Sequence, residues 1–152
     1  MVRLIPIVLI LFWGLLGCSK VSSSELAGTW VVDEVSRRRL PVELQKASAR
    51  IVLDESGAFT ASDLPGPFYI PPGPAQLESG RGVWKLVSEK DQQQIQLNFH
   101  EISNREDINF PYGTQLNVSR AWFAITLFYS LDDPDEGRRV NFEKANSGRN
   151  SF

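Results

Sequence analysis

Gln94-Ile95-Gln96-Leu97-Asn98-Phe99-His100 alternates strictly between polar and apolar side chains, and that alternation decides the fold class. A strand sends successive side chains to opposite faces, so Ile95, Leu97 and Phe99 share one face and Gln96 and Asn98 the other. A helix would throw Leu97 to the far side from Ile95 and Phe99. Downstream, Leu116 and Val118 repeat the pattern more briefly. Ala121 to Tyr129 reads as one long apolar strand, central in a sheet or covered on both faces. Asp132-Asp133-Pro134-Asp135-Glu136-Gly137 reads as a turn, and Val140 and Phe142 alternate with Asn141 and Glu143 in a last strand. Upstream, Gly82 to Val87 forms a strand. Arg50-Ile51-Val52-Leu53 and Ala58-Phe59-Thr60-Ala61 form a hairpin across the turn Asp54-Glu55-Ser56-Gly57. Thr29-Trp30-Val31-Val32 opens the domain. Only Val42 to Ala47 has weak helical character.

About eight short strands with turn signals between them predict an all-β fold. The expected architecture is a small eight-stranded antiparallel meander closed as a barrel, with a β-sandwich as the alternative. Closure removes the unpaired edges that invite strand-to-strand association. Gly28-Thr29-Trp30 and Gly82-Val83-Trp84 echo each other. In each, glycine lets the chain bend into the strand and the indole fills one end of the core. With Trp30, Trp84 and Trp122 to place, a filled interior is as well supported as a ligand cavity.

The first residues have a different logic. Arg3 precedes an apolar run from Leu4 to Leu16, and the chain turns polar directly after Cys18. The run is about a dozen residues, where a membrane span needs roughly 20. Pro6 and Gly14 further weaken a permanent helix. A charged start, a short apolar core and small residues before a cut form the export pattern. Leu15-Leu16-Gly17-Cys18 resembles the lipobox of bacterial lipoproteins. That resemblance implies cleavage before Cys18, a diacylglycerol thioether on its sulfur and an acylated amino terminus. The expected division is a signal peptide over 1–17, a lipidated tether over 18–25, a β domain over 26–145 and a flexible tail over 146–152. Ser19, rather than aspartate, after the lipidated cysteine implies the periplasmic face of the outer membrane where an organism has two membranes.

Cleavage leaves 135 residues, enough for one domain with a real core. The loss of Arg3 leaves 15 basic against 18 acidic residues. This mild acidity argues against nucleic acid as a partner. Arg37-Arg38-Arg39, the one basic cluster, reads as a solvated strand end, with contact to anionic headgroups as the sharper reading.

A second resemblance concerns the body. Leu26-Ala27-Gly28-Thr29-Trp30, the hairpin ending Gly57-Ala58-Phe59, and Gly82-Val83-Trp84 together resemble small bacterial lipocalin-like domains. Leu64-Pro65, Asp133-Pro134-Asp135 and Phe142-Glu143-Lys144 are similar to a group of small bacterial lipoproteins without an assigned function. The lipocalin-like pattern implies an arginine packed on the first tryptophan, for which only Arg138 or Arg139 is available.

Residue types for chemistry are scarce. His100 is the single histidine and Cys18 the single cysteine, whereas zinc sites use three or four such ligands. The Asp132–Glu136 cluster lacks EF-hand spacing. No nucleophile elbow is present. The expectation is therefore no catalytic residue, no metal and no cofactor. Two loops stand out instead. Leu64 to Leu77 holds five prolines around Phe68, Tyr69 and Ile70, and Ile102 to Thr114 holds Phe110-Pro111-Tyr112-Gly113. Proline stiffens such segments, and stiff loops lose little entropy on binding. The rings either fold back as lids on the barrel or form a patch of Phe68, Tyr69, Phe110 and Tyr112 for a partner. The expected function is a membrane-anchored, non-enzymatic envelope lipoprotein with a binding role. The alternatives are an immunity protein or inhibitor of a toxin or envelope enzyme, and a carrier of a small apolar ligand.

Overall fold

A computed structural model describes residues 20–46, 48–65, 77–103, 111–122, 124–130 and 139–145. Its elements run α1 (Ser23–Leu26), β1 (Gly28–Val32), α2 (Glu34–Arg39), β2 (Arg50–Leu53), β3 (Ala58–Pro65), β4 (Leu77–Glu89), β5 (Gln92–Ile102), β6 (Tyr112–Ala121), β7 (Ala124–Ser130) and β8 (Arg139–Lys144). Every strand pairs antiparallel with its sequence neighbour, and β1 pairs with β8 through Trp30↔Lys144 and Val32↔Phe142. The sheet is a closed eight-stranded meander barrel of lipocalin-like order. The sandwich alternative is set aside.

The alternating residues that predict the strands also fill the barrel. Ile95, Leu97 and Phe99 of β5 are buried, and so are Leu116, Leu127, Val140 and Phe142 of β6 to β8. Trp30, Ile51 and Leu53 complete the wall beside them. Burying one such side chain is worth about 1.5–3 kcal/mol. Phe59 meets Phe99 edge to face at 4.9 Å, the geometry that ring quadrupoles favour. Two irregularities bend the sheet. The β3–β4 register shifts between Ala61 and Leu64, where Asp63 takes φ +52 and its N–H donates to Ser79 Oγ at 3.0 Å. The β4–β5 register shifts between Arg81 and Gly82. A Cβ at Gly82 would lie 2.0 Å from the Asn98 carbonyl oxygen, so only glycine fits that approach.

Four expectations are corrected. The apolar stretch 121–129 is not one strand. Ala121 pairs with Ala124, so the chain reverses there in a two-residue hairpin and Trp122 stands at the tip. Apolar composition hid the turn, and Trp122 belongs to the surface, not the interior. Arg37-Arg38-Arg39 is the last turn of α2, not a strand end. Residues 42–46 form turns rather than a helix. The helix lies earlier, capped by Asp33, whose carboxylate accepts the Ser36 N–H at 2.6 Å. Acidic Glu34 at its start and arginines at its end match the helix dipole.

The topology gives the barrel two unlike ends. At one, here the cap end, the chain enters β1 and reverses through residues 54–57, 90–91 and 122–123. At the other, the loop end, strands are joined by residues 33–49, 66–76, 103–111 and 131–138.

Candidate functional site

The cap end is closed by the segment before β1. Ser22-Ser23-Ser24-Glu25 carries the spacing of a capping box, and α1 forms one. The Ser22 N–H donates to the Glu25 carboxylate at 2.9 Å, and the Glu25 N–H donates to Ser22 Oγ at 3.4 Å. Val21 and Leu26 on either side are buried in the core cluster. Long-range bonds fix the segment. Gln93 of β5 accepts the Val21 N–H at 2.7 Å and donates to the Val21 carbonyl at 2.9 Å. Arg120 of β6 pairs with the Glu25 carboxylate. Lys144 Nζ of β8 donates to the Glu25 carbonyl at 2.8 Å. The bond from the Ser22 N–H, then Arg120, then the Ser22 hydroxyl hold the Glu25 carboxyl down to about 2.

Both Gly-x-Trp tryptophans serve this end. Trp30 Nε1 donates to the Leu26 carbonyl and Trp84 Nε1 to the Asp54 carbonyl, each at 2.8 Å. Asp54 opens the predicted hairpin turn, whose Gly57 has φ +88. Among the described residues the cation over the first tryptophan is Lys144 and not Arg139. Lys144 Nζ lies 5.9 Å from the Trp30 ring, while Arg139 packs 4.9 Å from the Phe128 ring. Arg138 lies outside the described residues. Most of the expected tether is thus folded: from Val21 onward it is a plug, and only residues 19 and 20 separate it from Cys18.

Trp122 projects from this same end with 91 % of its surface exposed, in a left-handed backbone of φ +54. Its hairpin partner in position, Lys90, has φ +52.

The loop end is built differently. Glu78, near the start of β4, is a buried carboxylate, 4 % exposed. Tyr129, near the end of β7, is buried, and its hydroxyl donates to the Pro65 carbonyl at 3.2 Å. Burial pushes that phenol above its ordinary range. Tyr112 is the first residue of β6, not a loop residue. It is half-buried, with its ring 6.4 Å from Phe99. Val35, Val42 and Leu77 lie exposed around this end.

Of the site residues singled out from the sequence, Cys18, Phe68, Tyr69 and Phe110 lie outside the described residues, as do residues 132–137, for which the sequence predicts a turn. The connections carrying Phe68, Tyr69 and Phe110 all join strands at the loop end. Tyr112 starts its strand at that same end. His100 is exposed on the outer wall, beside a shallow groove of about 530 Å³ crossed by the Arg81–Glu101 ion pair. Among the described residues no three His, Cys, Asp or Glu side chains converge on a metal position. Arg37 and Arg38 engage Glu34 at the loop end, opposite the end where the described chain begins. Sequence reasoning passed over Glu25, Arg120 and Lys144. The capping-box spacing was the legible signal for Glu25, but nothing local in the sequence pointed to its two distant cations. No family model matches this chain, and neither a curated protein nor a solved structure does.

Proposed function

We propose that this chain is a non-enzymatic envelope lipoprotein. It is anchored by acylated Cys18 and binds a protein partner through the loop end of its barrel. The observation that carries this reading is the opposition of the two ends: the described chain begins at one, and the strands that flank the long aromatic connections end at the other. A short tether of residues 19 and 20 reaches about 7 Å. It holds the cap end at the bilayer and turns the loop end away from it. In an organism with two membranes, Ser19 favours the periplasmic face of the outer membrane. An immunity protein or inhibitor is the form of partner binding this geometry suits, with Val35, Val42 and Leu77 as exposed apolar contacts beside the aromatic connections. The carrier reading is less well supported. A side chain lining a ligand-sized cavity keeps surface that water can touch, and Trp30, Ile95, Leu97, Leu116, Leu127, Val140 and Phe142 keep none.

The test uses the tethered protein in cells. A photo-crosslinking side chain at Val42 is expected to trap a defined protein adduct that disappears when Phe68 and Tyr69 become Ser. The same probe at Val83, on the outer wall, is expected to trap none. Equal trapping at both positions, or none at either, defeats the loop-end assignment. Cys18→Ser is expected to abolish lipid labelling and to release the domain from the membrane fraction or leave an uncleaved precursor. Lipid found inside the purified barrel by native mass spectrometry would replace partner binding with carriage.

A further inference from the structure

The hairpin between β6 and β7 carries a feature that neither the fold nor partner binding at the opposite end requires. A two-residue hairpin favours Asn-Gly or Asp-Gly, because its backbone turns left-handed. Here the first tip residue is Trp122, with φ +54 and 91 % exposure. A bulky side chain in that conformation is an outlier, and outliers of this kind mark functional positions. In water the indole gains nothing that offsets the strain.

We propose that Trp122 inserts into the headgroup region of the anchoring bilayer as a second, non-covalent contact beside the lipid. The proposal rests on the anchor reading above, and two observations select a bilayer over other occupants. The described chain begins at this end with Lys20, two residues from Cys18. The departure point is adjacent to the hairpin: Val21 is bonded to Gln93, and Gln93 pairs with Val118, four residues before the tip on β6. Exposed Lys20, Lys90 and Lys144 lie at the same end beside exposed Asp54, Glu55, Glu89 and Asp91, so the contact rests on the indole and not on charge. Tryptophan concentrates at membrane interfaces because its ring is apolar and its N–H polar. The acyl chains on Cys18 hold the protein at the bilayer but leave the barrel free to turn on its tether, so a neighbouring interfacial side chain fixes its orientation.

Tryptophan emission reads this directly. Trp13 leaves with the signal peptide, and Trp30 and Trp84 are buried, so Trp122 is the one mature indole exposed to a surrounding medium. Full-length protein is purified from membranes, its intact mass measured, and the sample reconstituted in phosphatidylethanolamine–phosphatidylglycerol vesicles with brominated acyl chains. The expected result is an acylated mass beginning at Cys18 and quenched emission. Trp122→Gly is expected to lose nearly all the quenching while its thermal unfolding is unchanged or raised, since glycine adopts this backbone freely. An acylated protein with no quenching, or with quenching that survives Trp122→Gly, overturns the tip contact and leaves the anchor standing. An unacylated mass with no quenching overturns both. An unacylated protein still quenched through Trp122 sustains the tip without the anchor. An emission shift that follows protein concentration instead of lipid assigns the tip to a second copy and defeats the proposal.

Discussion

The two ends of this barrel solve opposite problems. At the cap end the turns are short, and the opening is stopped by a plug of the chain's own amino-terminal residues. Leu26 is wholly buried there, and Glu25 is held by cations from β6 and β8. At the loop end the connections are long, the exposed apolar residues are Val35, Val42 and Leu77, and a carboxylate, Glu78, is buried at the mouth. The contrast teaches where variation is tolerated. The cap end is an interlocked set of contacts between residues far apart in sequence, so its parts depend on one another. The loop end carries long segments on a rigid frame, and such segments can change without disturbing the strands.

That comparison can be broken first at Trp30. Trp30→Ala removes a fully buried indole, leaves the Leu26 carbonyl without its donor and takes away the ring beneath Lys144. The expected cost is about 3–5 kcal/mol in denaturant unfolding. A loss below about 1 kcal/mol would mean that the plug is not integral to the fold. At the loop end, Tyr129→Phe keeps the ring and deletes one hydroxyl, so a loss of about 1 kcal/mol is expected from the missing bond to Pro65. A cost as large as that of Trp30→Ala would erase the proposed difference between the ends. The smallest effect is acidic. Glu25 has a folded value near 2, below its ordinary value of 4.5, so its ionised form favours the docked plug above the latter and loses that contribution as pH falls towards the former. The protection of the Val21 and Leu26 amides, measured relative to intrinsic exchange at each pH, should therefore fall between about pH 4.5 and 2 before the strands open, and Glu25→Gln should remove that loss.

Most of the barrel was legible because its strands obey a two-residue period and its turns use glycine and aspartate. Ile95, Leu97 and Phe99, and the Asp54–Gly57 turn, needed no tertiary information. The reversal at Trp122 was illegible for a physical reason. Its residues are apolar and lack every usual turn signal, so composition argued for a continuous strand. The plug was half legible: Ser22-x-x-Glu25 is a helix-start signal, but the serines beside it read as a tether. Arg120 and Lys144 reach Glu25 from positions 95 and 119 residues away in sequence, a distance over which local pattern has no say. At the candidate binding end the sequence showed the aromatic and proline content of the connections. It did not show the buried carboxylate at Glu78, which is visible only once β4 is placed in the closed sheet.

The seam between β1 and β8 joins the opening of the domain to its final strand. A chain synthesised from its amino terminus therefore cannot shut the cylinder until Phe142 and Lys144 have emerged. Until that moment Glu25 lacks its lysine and the indole of Trp30 has no lid. The amino-terminal plug gains the last of its contacts only when β8 is in place.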